Sequence, residues 1–286
     1  PPELAVKAVS LACPPGGSLH IQFTGGEPLL CWDTAAQVLD FGRATGRQIQ
    51  ASLQTNGTLL TPELCQELKA RQVAVGVSLD GVAADNAARF FPGGSPSFPA
   101  AVQGLQALAE AGMVVNLTAV VTAVNVQNLD RLLEFALWCG NIHGVGLDLV
   151  RPQGRGAGAE LFPSPQALEE GMSRLLARYD QLAGLGRPVR LKELERLRLL
   201  LRTGRRRDCY CNAQTGRSLA VTPDGCLWPC SALAGVDGCL LGQSDAGAWP
   251  PQRPCPGLEP PEVCTRCPAF GLCGGGCPAA RLAGFS

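Results

Sequence analysis

Histidine is almost missing from this chain: His20 and His143 are the only two in 286 residues, and no serine or cysteine nucleophile pattern surrounds either. A hydrolase that draws its general base from histidine therefore has little support. Lysine is nearly as scarce, at Lys7, Lys69 and Lys192 only, and arginine supplies almost all of the basic charge. That skew reads as a genomic bias rather than as a phosphate-binding device. The formal net charge is zero, so nothing in the overall balance points to nucleic acid or an anionic membrane as partner. No apolar run approaches the roughly 20 residues that span a bilayer. The opening PPELAVKAVS lacks the charged-then-apolar order of a secretory signal, so a reducing cytoplasm is the expected compartment.

What is present is length and pattern. The chain is long enough for one large α/β domain with a small appendage and a substantial core. Helical spacing over 3–12 gives way at PPGG to the strand SLHIQFTGG. The unit then recurs: a helix over 34–46 and the strand IQASLQT; a helix started by Thr61 and Pro62 and the strand VAVGVSLDG; the helix PAAVQGLQALAEAG and the strand VVNLTAVV; a helix around 127–139 and the strand GVGLDLVRP. Strands alternating with helices predict a parallel sheet covered by helices, either doubly wound or a (β/α) barrel. Residues 166–207 read as helical with a basic end, and from Cys209 the texture changes to Cys, Gly and Pro, which sets a domain boundary near 205–208. The arginines from Arg187 to Arg207 could dock an acidic peptide, but a solvated helix face is the favoured reading.

In such sheets the chemistry gathers at the carboxyl ends of the strands. Those ends read Gly25-Gly26-Glu27, Thr55-Asn56-Gly57, Ser78-Leu79-Asp80-Gly81, Thr122 with Asn125, and Arg151-Pro152. Two adjacent glycines let a ligand approach the backbone, and exposed carbonyls with the following carboxylate can accept from an ammonium group. A tight turn with Glu27 near a helix dipole is the plainer alternative. Ser78 and Asp80 alternate with Val77 and Leu79, so both face one side of the strand and could hold a ribose or an amino-acid headgroup. Polar side chains at three strand ends together favour a small polar ligand. No residue is singled out as catalytic.

Cysteine is the abundant reactive residue. Cys13, Cys31, Cys65 and Cys139 are scattered and read as structural, while the other ten of fourteen lie from Cys209 onward. In a cytosolic chain this density points to thiolate–metal coordination rather than disulfides. Cys264 to Cys277 has the spacing Cys-x2-Cys-x5-Cys-x3-Cys, and a TPDG hairpin turn separates Cys211 from Cys230. Seven or more thiols without a useful histidine suit two sites. Spacing alone leaves zinc and iron–sulfur clusters both open.

The order GGEPLL (25–30), QTNGTLL (54–60), VGVSLDG (75–81), PQGRG (152–156), TPDGCLWPC (222–230) and CTRCPAFGLCGGGC (264–277) resembles radical S-adenosylmethionine enzymes with a C-terminal SPASM domain, the peptide maturases and anaerobic sulfatase maturases. The resemblance covers nearly the whole chain. It implies a partial (β/α)6 TIM-like barrel over 1–207 and a small Cys-rich iron–sulfur domain over 208–286. It further implies that Gly25, Gly26 and Glu27 bind the methionine amino group of S-adenosylmethionine, that Ser78 and Asp80 bind the ribose or carboxylate side, and that Leu149, Val150 and Arg151 lie near adenine, with Thr55 and Asn56 as weaker candidates. One auxiliary [4Fe-4S] cluster would be held by Cys211, Cys230, Cys277 and Cys209, another by Cys264, Cys267 and Cys273.

Three departures stand out. The family's Cys-x3-Cys-x2-Cys, which binds the cluster that reduces the cofactor, belongs on a first strand before Pro1 and is not found in these residues. The seventh SPASM cysteine, which should follow Cys277, is not found either. Loss of pattern at both ends is read as a trimmed record. Where sulfatase maturases carry an aspartate base after the cysteine matching Cys230, this chain has Ser231. The expected activity is therefore cleavage of S-adenosylmethionine to a 5′-deoxyadenosyl radical that takes hydrogen from a peptide, with a thioether or other crosslink as product. Formylglycine formation, or non-catalytic peptide recognition with bound metal, are the alternatives. Expected partners are a peptide or protein substrate and an electron donor such as flavodoxin or ferredoxin, with no nucleic acid and no membrane.

Overall fold

The structure, a computed structural model, describes residues 1–151, 156, 159–187, 189–246 and 257–282. PQGRG apart from Gly156, and Cys255, lie outside the described residues. Six strands succeed one another in one sheet in chain order: β1 (Ser18–Phe23), β2 (Gln48–Thr55), β3 (Val73–Ser78), β4 (Val115–Val121), β5 (Ile142–Leu149) and β6 (Arg190–Leu191). From β2 to β6 every neighbouring pair is parallel. Parallel neighbours need helical crossovers, and these are α2 (Trp32–Ala44), α3 (Pro62–Ala70), α4 (Phe98–Glu110), α5 (Asp130–Cys139) and α6 (Pro165–Gly184), preceded by α1 (Pro2–Ala12). The expected α/β sheet of an incomplete barrel is present.

The residues divide into two compact units, one formed by Gln22–Leu30 and Ala51–Arg196, the other by Pro1–Ile21, Cys31–Gln50 and Leu197–Ser286. In the first, period-two alternation sorts every strand. Val73, Val75 and Val77 are buried with Leu53, Val115, Leu117, Ala119 and Val121 beneath Leu68, Leu105, Leu108, Leu132 and Leu133 of the helices. Burying each of the larger side chains contributes about 1.5–3 kcal/mol. The alternate positions make the opposite face: Ser52 and Gln54, then Gly76 and Ser78, then Asn116 and Thr118, then Gly144, Gly146 and Asp148. Thr61 caps α3 as read from the sequence, accepting from Leu64 N at 3.2 Å, with Pro62 in the first turn.

Two expectations change. Residues 166–207 are not one helical stretch: α6 ends at Gly184, Gly186 sits at φ +71°, and β6 intervenes before α7 (Lys192–Thr203). Residues 126–128 form a separate tight turn ahead of α5. His143 lies within β5 and is exposed.

The second unit holds α1, α2 and the cysteine-rich end. Its small sheet is antiparallel, β7 (Ala220–Val221), β8 (Cys226–Trp228) and β9 (Gly242–Gln243). The TPDG turn joins the first two as expected, with Gly225 N donating to Thr222 O at 2.8 Å. Three short helices follow, α8 (Glu262–Thr265), α9 (Phe270–Cys273) and α10 (Pro278–Leu282). Among the described residues no helix is long and apolar enough to cross a membrane.

Candidate functional site

The carboxyl ends of the strands supply the first constellation, all within the first unit. Past β1 the chain turns through Gly25, at φ +135°, into Gly26 and Glu27. A Cβ built on either glycine would meet nothing within 4 Å, so open space lies beside this backbone. Glu27 turns back into the protein. Its Oε1 accepts from Thr55 Oγ1 at 2.7 Å and from Leu29 N at 3.2 Å, and its Oε2 accepts from Asn56 N at 2.8 Å. Thr55 is 1% exposed and its hydroxyl also accepts from Gly57 N at 3.0 Å. Gly25, Gly26, Glu27, Thr55 and Asn56 thus form one clasp: the carboxylate ties the glycine turn to the end of β2. The turn's backbone is left to face a ligand, and carbonyls beside open space suit an ammonium group.

The end of β3 is built differently. Ser78 is half-buried, and its hydroxyl accepts from Gln54 Nε2 at 2.8 Å, with Gln54 lying over the bare face of Gly76. Asp80 is only 4% exposed. Its Oδ1 accepts from Arg89 Nη2 and Val120 N, both at 2.8 Å, and Arg89 Nε stands 2.7 Å from Oδ2 as an ion pair without hydrogen-bond alignment. Buried Asn125 donates to Asp80 O at 2.6 Å and to Val120 O at 2.8 Å, and accepts from Thr122 N at 2.7 Å. Asp80, Arg89, Thr122 and Asn125 are therefore a buried tie between the ends of β3 and β4. The Asp80 carboxylate is engaged within the protein. At the end of β5, Leu149 is half-exposed; past it, Val150 is buried and donates its N–H to Val121 O, and Arg151 pairs with Asp148 at 2.9 Å.

Sequence reasoning missed Arg89 and Gln54. Alternation along β2 and β3 could have found Gln54, since Gln54 and Gly76 are register partners. Nothing local signals that Arg89 folds back on Asp80.

The cysteine constellation belongs to the second unit. Cys230 and Cys277 pack against one small core of Leu233, Cys239, Leu258 and Ala279. Cys230 has its thiol pKa raised, first by burial and further by the nearby charges of Cys211 and Cys277. Cys209 is raised by desolvation and by Asp208, with Cys211 adding to it. Gln214 and Arg281 hold these segments together. Gln214 accepts from Tyr210 N at 2.7 Å and Cys211 N at 3.3 Å and donates to Leu258 O at 2.6 Å. Arg281 donates to Leu258 O and Gly276 O at 3.1 and 2.9 Å. Cys209, Cys211, Cys230 and Cys277 are thus neighbours. Cys264, Cys267 and Cys273 lie on the turn and short helices after Pro261, with Cys267 and Cys273 exposed. Among the described residues no three His, Cys, Asp or Glu side chains converge closely enough to hold a metal ion.

The end of the basic run is not a free helix face. Arg207 donates its N–H to Gly271 O at 2.7 Å and its guanidinium to Tyr210 O and Cys273 O, while Arg206 lies against Gly271. The scattered thiols behave as structural residues do: Cys13 and Cys65 are buried, and burial, with Glu63 second, pushes Cys65 up to about 11. Burial pushes Cys139 to about 11 as well. Cys31, by contrast, is exposed.

Comparison with known proteins gives one answer. The profile of the radical SAM superfamily matches residues 1–139. The mycofactocin maturase MftC of Mycolicibacterium smegmatis is 31% identical over 289 aligned positions, covering 92% of this chain and 67% of that protein. The uncharacterized protein MJ0907 of Methanocaldococcus jannaschii is 27% identical over 224, covering 78% of this chain and 71% of its own. Among solved structures, native anSMEcpe with bound AdoMet and Cp18Cys peptide superposes with a TM-score of 0.80 at 20% identity, covering 98% of this chain and 81% of that one. A glycine turn clasped at the mouth of a parallel sheet, in a chain that follows MftC over two thirds of its length, is accounted for by common descent: the chain belongs to the radical SAM superfamily of enzymes.

Proposed function

We propose that this chain is the core of a radical SAM maturase that modifies a peptide by forming a thioether or another side-chain crosslink. The observation that carries the reading is the Glu27 clasp, which spends both carboxylate oxygens on the protein and so presents the Gly25-Gly26 backbone to open space. A ligand bound there is recognised through its ammonium end. The relationship to MftC, a maturase, and the likeness of fold to a protein solved with a bound peptide support a peptide substrate.

The family's cofactors are S-adenosylmethionine and a [4Fe-4S] cluster. Together they supply a carbon radical that abstracts hydrogen. In this chain Gly25, Gly26 and Glu27 would hold the amino end of S-adenosylmethionine, Thr55 and Asn56 would orient Glu27, and Ser78 would face the ribose or carboxylate side. Asp80 would act on that side only through the backbone it braces. Leu149, Val150 and Arg151 would border the adenine. The three thiolates of a Cys-x3-Cys-x2-Cys are not among these residues, so no step is assigned to them. Cys209, Cys211, Cys230 and Cys277 would hold one auxiliary cluster, since Gln214 and Arg281 tie the Cys211 and Cys277 segments to Leu258, and Cys230 packs against the same small core. Cys264, Cys267 and Cys273 would supply three ligands to a second. A ferredoxin or flavodoxin would deliver electrons. Ser231 in place of an acidic base favours crosslinking over formylglycine formation.

The test is anaerobic reconstitution with iron and sulfide of the protein carrying a Cys-x3-Cys-x2-Cys segment, followed by assay of 5′-deoxyadenosine with dithionite as reductant. Cofactor cleavage supports the reading; none, with the clusters loaded, refutes it. Loss of one cluster's iron in Cys211→Ala and in Cys230→Ala, and of the other's in Cys267→Ala, checks the division of the thiols.

A further inference from the structure

The segment joining α7 to the cysteine-rich helices concentrates charge of one sign in a chain whose formal net charge is zero. From Leu197 to Asp208 it holds Arg198, Arg202, Arg205, Arg206 and Arg207 against the single carboxylate of Asp208, and all of it lies in the second unit. Arg202, Arg205 and Arg206 are exposed, and none of the three is ion-paired among the described residues. Such cations on a neutral protein make a local positive field, felt by a partner within about 10 Å at 0.1 M salt.

Apolar surface accompanies the charge. α7 is 12 residues long and buries none of them, with Leu199 and Leu201 52% and 63% exposed. A short helix that buries nothing is marginal in water, and uncovered leucines rimmed by charge mark an interaction surface. Beyond Thr203, Gly204 at φ +61° turns the chain towards α9. There Arg207 N donates to Gly271 O at 2.7 Å and its guanidinium to Cys273 O at 3.4 Å, and a Cβ on Gly271 would stand 2.6 Å from Arg206 Nε. These contacts bracket Leu272, which is also exposed, on the helix that ends at exposed Cys273. Leu201 precedes Arg206 by five residues, so the chain can carry it no more than about 18 Å from that helix. Exposed leucines, unpaired arginines and the exposed Cys273 thiol therefore share one neighbourhood.

The shape favours a globular occupant over a peptide. Peptides are held in grooves or added to sheet edges, and a helix with no buried face offers neither. Small, charge-steered interfaces are the kind that electron-transfer partners use. We propose that α9 and residues 199–206 form the docking face of a small acidic electron-carrier protein, which passes one electron to the cluster of Cys264, Cys267 and Cys273. The electron leaves the reduced carrier and reduces the cluster by one unit of charge, with no bond made or broken. The proposal rests on the reading that these thiols hold a cluster, and it adds the place where the electron donor binds.

Flavodoxin is the probe. Calorimetry with the iron-free full chain should give saturable binding that weakens several-fold as ionic strength rises from about 0.02 to about 0.2 M. Arg202→Glu with Arg205→Glu should weaken binding roughly tenfold or more, and Leu199→Ser with Leu201→Ser roughly fivefold, with circular dichroism checking that the helices persist. Arg174→Glu, an exposed charge reversal on α6, should bind as the parent does. A binding constant unmoved by the arginine pair overturns the proposal. So does a hexaglutamate peptide that binds as tightly as flavodoxin and competes with it, which would mark a peptide site. A parent that sediments as a dimer, split by Leu199→Ser with Leu201→Ser, gives the face to a second copy and overturns it too. The cluster is tested apart. After reconstitution with iron and sulfide, reduced flavodoxin should bleach the visible absorbance that Cys267→Ala lacks, and do so faster in the parent than in the arginine variant. Equal rates remove the docking face and leave the cluster; binding without bleaching leaves the docking face and removes the cluster reading.

Discussion

Thr55→Val removes one oxygen from a buried position and leaves the side-chain shape almost unchanged. The lost hydroxyl donates to a carboxylate at 2.7 Å and accepts from Gly57 N at 3.0 Å, with the residue 1% exposed. A hydrogen bond to a charged group contributes about 1.5–3 kcal/mol, and an orphaned buried N–H costs about 1–3 kcal/mol. Asn56 N and Leu29 N still hold Glu27, so the clasp loosens rather than opens, and the expected destabilisation is about 3 kcal/mol. That is a large share of the ~5–15 kcal/mol typical of a folded domain. Urea unfolding followed by circular dichroism reads it directly, with Thr55→Ser, which keeps the hydroxyl, recovering most of the loss. If the clasp also orients the glycine turn, calorimetric affinity for S-adenosylmethionine falls roughly tenfold in Thr55→Val, about 1.4 kcal/mol. A variant within ~0.5 kcal/mol of the parent would show that the hydroxyl holds nothing.

Asp80→Asn keeps the size of the side chain but leaves Arg89 half-buried without its counter-charge; a loss of about 3–5 kcal/mol is expected by the same unfolding assay, and an unchanged midpoint would return Asp80 to the list of free ligand groups. Gly104→Ala would drive a methyl to 2.1 Å from Gly57 O, where α4 presses on the turn after β2, and a loss of about 1–3 kcal/mol or more should follow; a neutral effect would mean that the helix can simply shift. The Cys65 and Cys139 thiols, both raised to about 11 from 9.0, stay neutral in the folded chain when the unfolded chain already ionises. Their contribution is complete below pH 9 and is lost as the pH rises through 11, so the urea midpoint should fall across that window and the fall should shrink in Cys65→Ala/Cys139→Ala. A midpoint flat to pH 11 would contradict it.

Five of the six strands were legible because each is a run of β-branched and apolar residues that stops at a polar, glycine or proline-containing strand end. β6 was not, since Arg190-Leu191 is too short to show a period and exists only by pairing with Gly144 and Val145. The glycine turn and Thr55-Asn56 were legible as strand ends, but not that one carboxylate joins them. Asp80 shows the limit most clearly. Its alternation with Leu79 suggested the ligand face, yet Arg89 nine residues on claims the carboxylate, and a tertiary ion pair leaves no periodic trace.

The cysteine-rich end depends on backbone as much as on spacing. Gly274, Gly275 and Gly276 sit at φ of +72°, +81° and +72°, a left-handed run that side chains with a Cβ resist. A Cβ on Gly274 would also stand 2.4 Å from Cys209 O. This bend separates Cys273 from Cys277 although only three residues intervene. Arg207 anchors the Cys273 side through the carbonyls of Cys273 and Tyr210, and Arg281 anchors the Cys277 side through Gly276 and Leu258. Two arginines thus hold opposite ends of a glycine bend, which supports the proposed assignment of Cys273 and Cys277 to different sites. It follows that Gly275→Ala, strained at its φ and with its new methyl 2.6 Å from Pro260 Cβ, should disturb both groups of thiols at once, whereas Cys267→Ala should disturb only one. Iron content and electron paramagnetic resonance of the reconstituted variants separate these outcomes, and a Gly275→Ala protein that loads like the parent would show that the bend follows from the ligands rather than preceding them.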